Sequence, residues 1–207
     1  MNAKAGRPRD ETKRAAILLA AGQCFLRDGL EGASMDSIAD AAGVSKLTVY
    51  SNFQNKETLF REVISAKCRE FSPPDSFLAL VNQAPRAALT QIANGFMRLM
   101  LQPEVVAMHR VVIGEAGRNP MVAQLLNEAG ARPTLAAFAE LLKTWVKAGK
   151  LEIPAPERAS DHFFHMLKGH MLQEVTLNLR ALPSNAEVKR HIEDCVDMFL
   201  RAYEVRR

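Results

Sequence analysis

Between Ser45 and Lys56 the chain reads Ser-Lys-Leu-Thr-Val-Tyr-Ser-Asn-Phe-Gln-Asn-Lys, with two ammonium groups, several hydroxyls, side-chain amides and an apolar Leu47 in one short segment. Groups of this kind suit an acceptor-rich, negatively charged surface. Cations and hydroxyls bind phosphate oxygens, a lysine can also donate to guanine, and an apolar side chain can meet a thymine methyl. The same residues make poor catalysts, because the chain offers no paired carboxylate–histidine motif, no phosphate loop and no nucleophile beside a base. An all-α enzyme or a metal-carrying bundle is therefore the rival reading, and nucleic-acid recognition is the one the residues favour.

Side chains that read DNA need a rigid helix end to carry them, and the flanking residues supply one. Ala39 is small where a second helix must cross the first, Gly43 suits a sharp turn four positions later, and Val49 fastens the second helix six positions beyond it. Ser34 caps a helix through Ala42, Ser45 caps one to about Asn52, and Asn55 caps a further helix from Lys56 to about Arg69. A longer helix is expected ahead of them from about Asp10 to Asp28, closed by Gly29, with Ala16, Leu19, Ala20, Cys24 and Phe25 near one face. The predicted unit is a three-helix helix-turn-helix domain preceded by a basic arm, Met1 to Pro8.

These anchors resemble the TetR family of bacterial transcriptional regulators over about Arg9 to Glu62. The shared pattern runs Ser34-x3-Ile38-Ala39-x2-Ala42-Gly43-Val44-Ser45, then Val49-Tyr50-x-Asn52-Phe53-x2-Lys56-Glu57-x-Leu59. Leu47 stands where the family often has glycine, and Asn52 where histidine is common, so an operator sequence is not carried over. Chemistry and resemblance together assign Lys46, Leu47 and Thr48 to base contact, and Ser45, Tyr50, Asn52 and Lys56 to phosphate contact. Arg7 and Arg9 extend these contacts from the arm. The expected DNA partner is a double-stranded, palindromic operator.

Bulk charge carries little of this reading. The chain is +4 overall, with 27 basic against 23 acidic residues, yet residues 1–70 hold 11 basic and 9 acidic side chains. The case rests on spacing. Cys24, Cys68 and Cys195 are too few and too scattered for a disulfide framework or a zinc site, which points to a reducing cytoplasm. A basic start followed by the apolar run Ala15 to Leu26 imitates an export signal, but Asp10, Glu11 and Gln23 argue against it. Apolar runs long enough to span a membrane are not expected.

Ser72-Pro73-Pro74 marks the expected boundary between a DNA-reading domain, 1–72, and a helical effector-binding and dimerisation domain, 73–207. Low aromatic content (6%) and the absence of strand alternation make the whole chain all-α. Helices are predicted at about Pro85–Leu101, Glu104–Gly114, Met121–Ala129, Pro133–Ala148, Glu157–Leu182 and Ala186–Tyr203. The stretches Phe96–Val105, Arg110–Ala116 and Leu167–His170 resemble the AefR-like branch of the family. That resemblance implies a cavity for a small effector and pairing of the last two long helices with a second subunit. Homodimerisation is thus expected through about 157–182 and 186–203. Phe96, Met97, Met100, Met108, Phe138, Trp145 and Met166 are candidate pocket residues, with His109 and His165 as polar contacts. Such a pocket suits a hydrophobic or amphipathic molecule. Among His162, His165 and His170 only the first two share a helical face, and no cysteine or Glu-x-x-His motif joins them, so no metal or other cofactor is expected. The function this predicts is a ligand-responsive repressor, with an activator or a ligand-independent regulator as alternatives of the same class.

Overall fold

A computed structural model describes residues 7–71 and 73–205; the side chains of residues 7–10 and 75 lie outside that description. The described residues form ten α-helices and no strand. They are α1 Arg7–Gly32, α2 Met35–Ala42, α3 Lys46–Asn52, α4 Lys56–Phe71, α5 Pro85–Met100, α6 Pro103–Ala116, α7 Pro120–Leu126, α8 Arg132–Lys147, α9 Pro156–Thr176 and α10 Asn185–Tyr203. Two 3₁₀ turns precede α5, and a π-helical turn, Asn127–Ala131, joins α7 to α8. The chain is all-α, as the periodicity predicts.

Proline sets many of the starts. Pro85, Pro120 and Pro156 stand in the first turns of α5, α7 and α9, where the missing N–H costs nothing. Two helices differ from the sequence expectation. α1 starts at Arg7, ahead of the predicted Asp10, and so takes in part of the basic arm. α9 stops at Thr176, short of the predicted Leu182: Asn178 adopts φ 60, and the amides of Leu177 and Leu179 turn back onto Gln173 and Glu174. A residue in the left-handed region ends a helix in this way.

By internal contacts the described residues also divide into two compact units. Among the described residues, one comprises those up to Ala66 together with Ala107–Ala129, and the other comprises Lys67–Val106 and those from Gly130 onward. α4, Lys56–Phe71, runs unbroken across Ala66–Lys67. The inserted segment belongs to the first unit, where Ser65 Oγ donates to the Ala129 carbonyl and Glu115 meets the end of α1.

The first unit is packed around Ile17, Phe25, Ile38, Ala39, Val49, Phe53, Leu59 and Phe60, all at most 1% exposed. Phe25 and Phe60 meet edge-on at 5.2 Å, a favoured aromatic geometry. The second unit buries an aromatic cluster in which Phe138 touches Phe77, Phe163, Phe164 and Phe199. Trp145 lies fully buried there, its indole N–H donating to the Val81 carbonyl at 3.1 Å. α9 bends at Gly169 (φ 51, ψ −172), and His191 of α10 bonds through Nε2 to the Leu167 carbonyl beside that bend.

Candidate nucleic-acid interface

The helix-turn-helix is built from capped, short elements. Ser34 and Ser37 exchange side-chain and backbone hydrogen bonds at the head of α2, forming a capping box. Gly43 closes α2 at φ 64, and the amides of Gly43 and Val44 return to the Ala39 carbonyl. That left-handed conformation is the reason for glycine at this position. Ser45 then caps α3, accepting from the Thr48 amide at 3.2 Å. Val49 is fully buried beneath, so the opposite face of α3 is turned outward.

On that outward face the structure places most of the residues expected to contact DNA. Leu47 is 79% exposed and Tyr50 50%, so both side chains are open to a partner. The polar residues are held by neighbours. Ser45 Oγ and Thr48 Oγ1 lie 2.8 Å apart, and Asn52 donates its amide to the Thr48 carbonyl at 2.8 Å. Lys46 Nζ pairs with Asp36 Oδ2 of α2 at 2.5 Å. That hydrogen bond and the carboxylate's charge raise the Lys46 pKa above its ordinary value, so the ammonium is charged at neutral pH.

Lys56, expected at a phosphate, is also engaged by backbone carbonyls. Its ammonium donates to the carbonyls of Glu31 and Ala33, each at 3.0 Å, and so closes the C-terminal end of α1. Only the third of its N–H donors is left for another acceptor. α4 itself is capped by Asn55, which accepts from the Thr58 amide. Arg7 and Arg9 fall in the first turns of α1, and their side chains lie outside the described residues.

Three contributors escape a reading of the sequence. Asp36 lies ten positions before Lys46 and meets it only because Gly43 folds α3 back across α2. Arg14 reaches from α1 over the Phe53 ring at 4.6 Å and pairs with Glu62 at 2.5 Å, tying α1 to the segment after α3. Gly29 breaks α1 at φ 71, ψ −178, and Glu115 of α6 fills the space beside it, with Oε2 3.4 Å from the Leu30 amide.

The nine candidate effector residues do not form one cluster. Phe96, Met97, Met100, Phe138 and Trp145 are buried in the core of the second unit, and Met166 packs against it. Met108 and His109 lie on α6 within the first unit. His165, grouped with the pocket by sequence, instead carries an exposed side chain with Nδ1 2.8 Å from the Asp161 carbonyl oxygen. Helical spacing gives a residue's face but not which neighbour covers it. His162 and His170 are exposed as well, and among the described residues no three histidine, cysteine or acidic side chains are grouped to hold a metal. Nor is any described helix long and apolar enough to cross a membrane.

Comparison with known proteins agrees with this geometry. Residues 17–63 match the tetR family of bacterial regulatory proteins, and residues 87–205 match the C-terminal domain of AefR-like transcriptional repressors. Over 64 residues, 31% of this chain, the sequence is 41% identical to the DNA-binding transcriptional repressor TetR of Mycobacteroides abscessus. That match spans 34% of the relative's own length. A TetR-family transcriptional regulator from Mesorhizobium loti MAFF303099 superposes with a TM-score of 0.77 at 29% identity, covering 96% of this chain and 100% of that one. The flavonoid-responsive regulator FrrA superposes with a TM-score of 0.71 at 31% identity, covering 94% and 98%.

Proposed function

Because the chain belongs to the TetR family of bacterial regulatory proteins, whose members are DNA-binding transcriptional regulators rather than enzymes, we propose that it acts as a homodimeric repressor released from its operator by a small hydrophobic or amphipathic effector. The observation that carries the reading is the head of α3: a capped helix holding Leu47 79% exposed above a fully buried Val49. An apolar side chain so placed is available to meet a thymine methyl in the major groove. Lys46 and Thr48 read bases beside it. Ser45, Tyr50, Asn52 and the remaining donor of Lys56 fix the register on phosphates, with Arg7 and Arg9 adding backbone contacts.

Two such heads in a symmetric dimer read a palindromic site with half-sites one helical turn apart. α9 and α10 supply the pairing surface, and the exposed Leu177, Leu179 and Met198 on or beside them support it. Residues 1–72 do the reading and 73–207 the sensing and pairing, in a cytoplasmic protein. The similarity to a regulator described as flavonoid-responsive supports an aromatic effector. An effector that binds better to the DNA-free arrangement shifts the population and weakens operator binding.

The test is a footprint on the DNA upstream of the protein's own gene, repeated across a salt series and with added flavonoid. The expected result is a two-fold symmetric protected site whose affinity falls with salt and with flavonoid, while the single tryptophan, Trp145, changes its emission on flavonoid binding. Binding that shows no preference for any sequence would refute the regulator reading.

A further inference from the structure

The Lys46–Asp36 pair raises a chemical problem that the base-reading assignment leaves open. A lysine is a flexible point charge, and DNA offers it phosphates at every step, so a free ammonium at the head of α3 would bind all sequences. Here the ammonium is not free. Asp36 holds it at 2.5 Å, and Asp40 adds further negative charge nearby. Both members are half exposed or more, so the pair faces the solvent side that DNA would approach. Asp36 is itself fixed in the first turn of α2, directly behind the Ser34 capping box.

We propose that Asp36 is a specificity-determining positioning residue, which stays paired with Lys46 on DNA and turns its ammonium from a free charge into a directed hydrogen-bond donor. The proposal rests on the assignment of Lys46 to base contact. An ammonium has three N–H donors, so one can remain on Asp36 while another reaches guanine O6 or N7. The two classes of acceptor respond differently to the carboxylate. A phosphate is anionic, and its attraction to Lys46 is largely cancelled by repulsion from Asp36. A guanine edge is neutral and dipolar, so a short, aimed hydrogen bond to it survives. The carboxylate therefore removes the sequence-blind part of the lysine's attraction and keeps the part that depends on the base. Fixing the ammonium also limits the positions along the groove from which it can donate.

The experiment uses the full chain and two duplexes: one enriched from a randomised library by the wild-type protein, and one of scrambled sequence with the same composition. Asp36→Asn, Lys46→Ala and the double variant are compared with wild type, after circular dichroism shows equal helix content. Asp36→Asn should raise affinity for the scrambled duplex by up to about fivefold, the range of an exposed ion pair. It should also steepen the slope of log affinity against log salt on that duplex by about 0.9, as one more phosphate is neutralised. The enriched duplex should gain less, so the ratio between the two falls. With Lys46→Ala in place, Asp36→Asn should leave the ratio unchanged. Equal gains on both duplexes, an unchanged salt slope, or an effect that persists without Lys46 would each overturn the proposal. Should Lys46→Ala itself leave base preference intact, the base-reading assignment fails and the proposal falls with it. If Lys46→Ala alters preference and Asp36→Asn does not, only the proposal is lost.

Discussion

Gly29→Ala is the substitution whose cost the structure defines best. At φ 71 and ψ −178 the backbone lies in a region essentially reserved for glycine. Forcing alanine into it costs about 1–3 kcal/mol. The new Cβ would also stand 1.7 Å from Glu115 Oε1 and 2.9 Å from Glu115 Cδ, so the carboxylate must leave. With it goes the hydrogen bond from the Leu30 amide to Glu115 Oε2, worth about 1 kcal/mol. Together these predict a destabilisation of roughly 2–4 kcal/mol. For a chain of this length, each kcal/mol moves the melting temperature by about 2–4 °C. Thermal melts followed by circular dichroism, at one fixed protein concentration, read the shift. Glu115→Ala separates the two contributions. Alone it should cost about 1 kcal/mol, and combined with Gly29→Ala it should add almost nothing, because the alanine has already expelled the carboxylate. Strictly additive costs in the double variant would show that Glu115 does not occupy the space the glycine leaves, and the reasoning would fail.

Two further predictions follow from the same kind of placement. Lys56→Met should lower stability by about 1–2 kcal/mol, because it strips the Glu31 and Ala33 carbonyls of a charged donor; a melt identical to wild type would return Lys56 to a purely DNA-facing role. Glu187, paired with Arg180 and bonded to Ser184, has its pKa lowered from 4.5 to about 2. A depressed carboxylate stabilises the fold fully above its unfolded pKa, and that share is lost as pH falls from about 4.5 toward 2. Glu187→Gln should therefore flatten the acid limb of a stability–pH curve in this window, and an unchanged limb would refute the pairing.

How far the sequence revealed this depends on the range of each interaction. The α2–turn–α3 unit was legible because its determinants are local: Ser34 and Ser45 cap helices three residues away, and Gly43 sets a single backbone conformation. Leu47 and Val49 could be assigned to opposite faces from the helical repeat alone. What stayed hidden involves partners far apart in the chain. The structural bonds of Lys56 appear only when the end of α1 is brought beside it, and Glu115 has no evident role until α6 lies against Gly29. The pocket candidates do not fall together, for the same reason. Apolar spacing put His165 beside Met166 without telling that α9 turns this histidine to solvent.

The unit border at Ala66 and Ala107 bears on how a sensing domain could reach a reading head. If α6 and α7 belonged to the sensing domain, a signal would have to cross from α6 to α1. From Ala107 onward α6, together with α7, belongs instead to the unit that contains α1 to α3, joined there by Glu115 at Gly29 and by Ser65 at Ala129. Both α4 and α6 run unbroken through the border, α4 at Ala66–Lys67 and α6 at Val106–Ala107. In the proposed ligand response, these two continuous helices are the candidate carriers of the signal. Gly29 and Glu115 lie inside the body of the first unit. Weakening them should loosen that body and lower DNA affinity with and without effector alike, leaving the ratio between the two states unchanged. A Glu115→Ala variant that binds operator normally yet no longer responds to flavonoid would place the transfer at the α1–α6 contact instead.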